Sequence, residues 1–466
     1  MVVALVTVFI IGYACIALEH PLKVNKTATA LLLGVLTWAI FSFSHVAFDP
    51  NLDIEQWRAF MTSNLIENLG ETAEIVFFLL GAMTIVTLIE DYQGFSIITD
   101  KIKTTNKKRL LWIISILTFF LSALLDNMTT AIVMVALLRK LIADQKERWL
   151  YAGMVILAAN AGGAWSPIGD VTTIMLWIKG EVTTVNIIVK TLVASLACMA
   201  VPVWLIGRTL KGDIQRPEQN AEGMVVPHNF RVLVLVMGVC ALIFVPIFKT
   251  ISHLPPYLGM LFGLSIMWIT TEILSRKYSK EHKLPTAVST LEHVDVPTIL
   301  FFLGILMAVS CLKVAGILGG LAQGLNDAFL GMHIGEEPVG FFVIDLIIGI
   351  LSSIVDNVPL VAAVQGMYPH IGPDVIFGVN HPFWEFLAYC AGTGGSLLII
   401  GSAAGVAVMG MEKIDFIWYF KKISLLALAG YIAGAIVFIV MDVTLFEKVE
   451  FLRNLAFLPG ASAMMC

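Results

Sequence analysis

Three aspartates and a set of small oxygen- and amide-bearing residues interrupt otherwise apolar sequence. Asp126-Asn127 and Asp356-Asn357 each sit near the middle of an apolar stretch, with Ser122 and Ser352 a helical turn ahead of them. Asn160 and Asp170 bracket a glycine- and proline-containing run, NAGGAWSPIGDVTT (160–173), which ends on Thr172-Thr173. A second run, GTGGS (392–396), carries Thr393 and Ser396. Carboxylates, amides, hydroxyls and unwound carbonyls are the ligands that a hard cation takes. A carboxylate removed from water can hold either a proton or a metal ion, and the two then exclude one another. The chemistry expected is competitive binding of a small cation and H⁺. Asp126, Asp170 and Asp356 would be the acids that ligate the transported cation. Ser122, Asn127, Asn160, Thr172, Thr173, Ser352, Asn357, Thr393 and Ser396 would complete the set.

Plainer roles compete for the same residues. Asp before a helix is a good N-cap, Thr and Ser can bond back to their own helix, and Gly-Gly pairs permit close helix packing. Capping accounts well for one Asp-Asn pair, and less well for two at matching places. Glu74, Asp295, Asp345, Glu385 and Asp442 fall nearer expected span ends, Asp345 being the most interior.

The surrounding chain must hold these groups at depth. Of its 466 residues 58% are hydrophobic and only 14% charged, against roughly 25% in soluble domains. Mean hydropathy is +0.89. This is more apolar surface than a soluble core can hide, so the chain is expected to be an all-α polytopic membrane protein. A net charge of −5 without a basic domain argues against a nucleic-acid partner. The six cysteines form no CxxC pair and read as isolated thiols. The opening MVVALVTVFIIGYACIAL lacks the features of a cleaved leader and reads as a span.

Apolar runs predict spans near 1–18, 27–45, 73–91, 151–180, 185–207, 231–250, 256–275, 297–315, 383–411 and 420–443. The stretches 110–141 and 339–369 are too short to cross twice and predict re-entrant helical hairpins with Asp-Asn at the tips. Spans 151–180 and 383–411 are expected to break at their glycine-rich runs. The same series occurs twice. A first repeat at 1–207 and a second at 231–443 are joined by a polar linker at 208–230, and 444–466 forms a tail. Five crossings per repeat make the two inverted in topology. On this path Lys and Arg crowd one face of the membrane, Lys23, Lys26 and Lys101 among them, which marks it as cytoplasmic and both termini as periplasmic.

Inverted repeats with broken helices are the pattern of secondary transporters with a midplane site. At LSALLDNMTTAIVM (121–134), NAGGAWSPIGDVTT (160–173), SSIVDNVPLVAA (352–363) and GTGGSLLIIGSAAG (392–405) the sequence resembles the NhaD family of Na⁺/H⁺ antiporters, which is related in fold to INDY-type carriers. The resemblance spans essentially the whole chain. It implies a homodimer in a bacterial inner membrane that exchanges Na⁺, and Li⁺, for H⁺ by elevator-like alternating access, with no cofactor and no enzymatic activity. It also implies functional roles for Ser122, Asp126, Asn127, Asn160, Asp170, Thr172, Thr173, Ser352, Asp356 and Asn357. INDY-type carriers have Ser-Asn-Thr at the tips, where this chain has Asp. Gly392 departs from symmetry, standing where a counterpart of Asn160 is expected. The alternatives are a Na⁺-coupled carboxylate symporter of the same fold and, distantly, an intramembrane aspartyl protease, whose GxGD motif is absent at Pro167-Ile168-Gly169-Asp170.

Overall fold

A computed structural model describes all residues except 45–47, 49–52, 100, 218–225, 279–283, 335–336, 371–374 and 447–466. The chain is a multi-pass, almost entirely helical membrane protein. Six of the described helices are long and apolar enough to cross a membrane, and several shorter apolar helices accompany them.

The first part of the chain forms α1 (Val2–Ala17), α2 (Lys26–Ser42) and α3 (Ile54–Asp91). It continues through α4 (Lys107–Ser122), α5 (Asn127–Leu141), α6 (Gln145–Gly163), α7 (Val171–Lys179) and α8 (Thr184–Gly207). The second part forms α9 (His228–Ser252), α10 (Pro256–Tyr278), α11 (Val296–Val314) and α12 (Ile317–Leu325). Then come α13 (Gly340–Leu351), α14 (Asn357–Met367), α15 (Pro382–Gly394), α16 (Ala403–Glu412) and α17 (Leu425–Met441). Both stretches expected to turn back are helix–turn–helix units, with turns at residues 123–126 and 352–356. Both glycine-rich runs interrupt their helices, at 164–170 and 395–402.

The packing falls into two groups. In one, α1 lies on α2, α9 on α10, α2 on α11, α10 on α3, and α3 on α11. In the other, α4 lies on α6, α13 on α15, α5 on α16, α7 on α14, and α8 on α17. The groups meet mainly where α14 packs on α11 and α7 on α3. Among these contacts, α1 on α2 has a counterpart in α9 on α10, α4 on α6 in α13 on α15, and α5 on α16 in α14 on α7.

Two glycines show why the fit is close. A methyl group at Gly162 on α6 would run into the carbonyl of Phe119 on α4. One at Gly394 on α15 would run into the carbonyl of Gly349 on α13. Each interrupted helix therefore lies against its hairpin at a distance that only glycine permits.

Three expectations change. The span at 73–91 is the second half of a 38-residue helix that starts at Ile54. Asp53 caps it, accepting from Glu55 N and Gln56 N at 2.8 Å, while Gln56 reaches back to close a capping box. Acidic residues such as Glu55, Glu67 and Glu71 depress hydropathy there without breaking the helix, so an apolarity scan misses it. The linker is shorter than 208–230, because α9 begins at His228. Its first part docks on the ends of the first hairpin, with Ile214 N bonding Thr105 O at 2.8 Å and Ala143 N bonding Gln215 O at 2.9 Å. Finally, α12, a π-helical turn at Asn326–Leu330 and two-residue strands at His333–Ile334 and Glu337–Pro338 fill a segment for which the sequence predicts no element. Among the cysteines, Cys15, Cys198, Cys240, Cys311 and Cys390 are free thiols, and Cys466 lies outside the described residues.

Candidate functional site

All three site aspartates start helices. Asp126 caps α5 by accepting from Thr129 N at 2.8 Å, and the Thr129 hydroxyl donates to its second oxygen at 2.6 Å. Asp356 caps α14 by accepting from Val358 N at 3.3 Å. Asp170 caps α7, with Thr172 N at 2.9 Å and the Thr172 hydroxyl at 3.0 Å from Oδ1. Capping is therefore a real part of their role, since it satisfies orphan N–H groups at helix starts deep in the protein.

Capping does not exhaust Asp170. Its Oδ2 accepts from Asn127 Nδ2 at 2.7 Å, and Asn357 Nδ2 lies 3.3 Å from Oδ2 and 3.4 Å from Oδ1. Both hairpin tips thus send an amide to one buried carboxylate, which is 1% exposed. Asn127 Nδ2 also donates to Asn160 Oδ1 at 3.0 Å. Asn160 in turn donates to the hydroxyls of Ser396 and Ser402 at 2.8 and 2.9 Å. The outcome is one connected polar knot at the meeting of two tips and two interrupted helices. Among the described residues no Lys or Arg forms an ion pair with Asp170.

The remaining expected residues divide. Ser122 donates to Ala159 O at 2.6 Å and Ser352 to Ala391 O at 2.8 Å, so each ties a hairpin to its neighbouring broken helix. Ser166 does the same between the first break and Ala123 O at 2.5 Å. Thr173 and Thr393 bond to carbonyls close in sequence, Asp170 O at 2.8 Å and Tyr389 O at 2.6 Å. Those two hydroxyls are committed to backbone, whereas Thr172 faces the carboxylate.

Asp126 and Asp356 are not hydrogen-bonded to the Asp170 knot. Asp126 opens on a cavity of about 40 Å³ walled by Phe78, Leu79, Met83, Ile168, Thr298 and Phe302, room for a few water molecules. Asp356 is ion-paired, its Oδ2 lying 3.4 Å from Lys26 Nζ on α2. In the sequence Lys26 reads only as one of the basic residues that crowd the cytoplasmic face. Ser402, whose hydroxyl accepts from Asn160, joins Ser396 in the knot.

The two interruptions differ in the residues they bring to the knot. The positions that start the resumed helices, Asp170 and Ser402, share an extended conformation (φ −145°, ψ 144° and φ −142°, ψ 152°). One carries an acid and the other a hydroxyl. A methyl group at Gly392 would come within 3.3 Å of Ala164 Cβ and 3.6 Å of Asp170 Oδ2, so the backbone of α15 passes close beside the central acid.

The family described as "Citrate transporter" matches residues 13–381. "Sodium/proton antiporter 1" of Arabidopsis thaliana is 42% identical over 98% of this chain and 76% of its own length. The "Na(+)/H(+) antiporter NhaD" of Halomonas elongata is 30% identical, covering 94% of this chain and 88% of its own. The chain belongs to the NhaD family, within the citrate-transporter group. A Vibrio cholerae NhaD, 29% identical over 94% of the chain, extends the match. NhaD-type similarity therefore embraces both hairpins and both breaks.

Further acids lie outside the knot. Asp345 and Glu385 are fully buried, and their oxygens lack hydrogen-bond partners. Asp442 pairs with Lys190 at 3.5 Å. A larger cavity of about 620 Å³ is bordered by Glu71, Glu74, Lys179, Glu181, Lys313 and His370.

Proposed function

We propose that the protein is a secondary transporter, not an enzyme, that exchanges Na⁺, and Li⁺, for H⁺. The observation that carries this reading is Asp170: one buried carboxylate approached by Asn127, Asn357 and the Thr172 hydroxyl from three separate elements. A half-turn of either amide presents its carbonyl oxygen instead of its N–H groups. The knot then supplies the oxygen ligands that a hard monovalent cation takes. Protonated Asp170 needs no cation, and ionised Asp170 needs one. That exclusion is sufficient for exchange. Antiporter relatives from a plant and from bacteria support the same substrate pair.

The paired packing of the two parts of the chain supports inverted repeats, with the helix–turn–helix units as re-entrant hairpins. The two packing groups support an elevator-like motion, in which the hairpins, broken helices, α8 and α17 move against α1–α3 and α9–α11. The homodimer implied by the family resemblance would form on the group that stays fixed. The Lys-rich face is taken as cytoplasmic in a bacterial inner membrane, with periplasmic termini. Both tips lie toward the starts of α2 and α11, which supports a conformation with its site nearer the cytoplasm. The cavity beside Glu71 and Glu181 opens toward the other face.

Carboxylate symport is the competing reading, favoured by the family's description. An anion at this knot would face Asp170 with no hydrogen-bonded basic side chain to offset the repulsion. Uptake of ²²Na⁺ into proteoliposomes under an imposed pH gradient decides between them. Uptake that external citrate leaves unchanged supports exchange. Citrate uptake requiring Na⁺ would replace exchange with symport.

A further inference from the structure

The Lys26–Asp356 pair joins the two packing groups. Lys26 is the first residue of α2, and Asp356 starts α14 at the tip of the second hairpin. The ammonium sits 3.4 Å from Asp356 Oδ2 and 4.5 Å from the centre of the Phe301 ring on α11. Both side chains are largely withdrawn from solvent, at 20% and 14% exposed. Glu19 is also at hand, since its Oε1 accepts from the backbone N of Lys26 at 3.1 Å. The ammonium itself meets Asp356 on the hairpin tip, while Glu19 holds the lysine's backbone and is the second acid beside it on its own side of the protein.

We propose that Lys26 is a tethered cation that competes with the transported ion for Asp356. An ammonium and Na⁺ carry the same charge, and a carboxylate held in one place satisfies one of them fully. Lys26 neutralises Asp356 when no metal is bound. Na⁺ entering the tip region displaces the ammonium toward Glu19. Lys26 thereby sets how much Na⁺ is needed to load the carrier, acting on the ion through Asp356 and not as a ligand. The aromatic face of Phe301 keeps the ammonium close after displacement. The inference rests on the cation-exchange reading above.

The test is Na⁺-driven proton movement in proteoliposomes at fixed pH for the wild type, Lys26→Gln and Lys26→Arg. Lys26→Gln is expected to lower the half-saturating Na⁺ concentration about five- to tenfold, and Lys26→Arg to stay near the wild type. A purely structural pair would instead lower the maximal rate and leave half-saturation unmoved. Thermal melting in detergent with Na⁺ titrated gives a second readout should Lys26→Gln transport poorly. Stabilisation by Na⁺ should appear at lower concentration in Lys26→Gln, and Asp356→Asn should erase the difference between Lys and Gln at position 26. Unchanged Na⁺ dependence in both measurements overturns the role of Lys26 while leaving exchange standing. Absence of any Na⁺ response in the wild type would defeat the exchange reading itself.

Discussion

Asn127 Nδ2 lies 2.7 Å from Asp170 Oδ2, although the two residues belong to different helices and are separated by an intervening helix and a break. The contact exists because α5 begins at Asn127 and α7 begins just after Asp170, so two helix starts point at one place. Positive helix ends and amide N–H groups together make a buried carboxylate tolerable there.

Replacing Asp170 with Asn should reduce Na⁺-driven proton flux to the level of protein-free vesicles. The amide keeps the shape and one acceptor oxygen, so gel-filtration behaviour in detergent should stay that of the wild type. A monodisperse Asp170→Asn protein with substantial Na⁺-dependent flux would remove the central acid from the mechanism.

Asn160→Ala should weaken the fold as well as transport. It deletes the donors to Ser396 and Ser402 and leaves Asn127 short of an acceptor, all in the buried interior. Three lost buried hydrogen bonds correspond to about 2–4 kcal/mol. Melting in detergent should fall clearly, and the half-saturating Na⁺ concentration should rise.

Gly394→Ala tests the closeness of α13 and α15. Its methyl group meets the backbone carbonyl of Gly349, which cannot move as a flexible side chain would. Overpacking of this kind costs about 1–3 kcal/mol. Gly410→Ala, on α16 with open space around it, is the control and should melt like the wild type.

Glu412 should matter for stability and not for ion preference. This buried carboxylate takes Arg139 Nε at 2.7 Å and Arg148 Nε at 2.9 Å, and its backbone carbonyl takes Trp149 Nε1 at 2.9 Å. It clamps α16 to α5 and α6. Glu412→Ala leaves two guanidinium groups without their acid, a loss of roughly 3 kcal/mol with Arg139 half exposed. A lowered melting temperature with an unchanged order of alkali-cation activity is the expected outcome.

Much of this arrangement could be read from residue types. Paired Asp-Asn motifs and glycine-rich interruptions are local signals, because a helix start needs a cap and a helix break needs glycine or proline. They located the hairpin turns at 123–126 and 352–356 and the interruptions at 164–170 and 395–402. What escaped were relationships between distant elements. Asp126, Asp170 and Asp356 all cap helix starts, yet of the three only Asp170 receives amides from both tips. Asp356 instead meets Lys26, which lies 330 positions away and looks in sequence like any basic residue at a span end. The first half of α3 escaped for the opposite reason: its acids suggested a loop, while its capping box and lack of proline allowed a helix.

The most direct test of cation–proton competition at Asp170 is dequenching of a pH-sensitive dye in energised inverted vesicles. Na⁺, Li⁺ and K⁺ are added in turn to wild type and Asp170→Asn. Rapid dequenching by Na⁺ and Li⁺ in the wild type alone is the predicted result. Dequenching of equal size in both proteins, or none with any cation in the wild type, would contradict it.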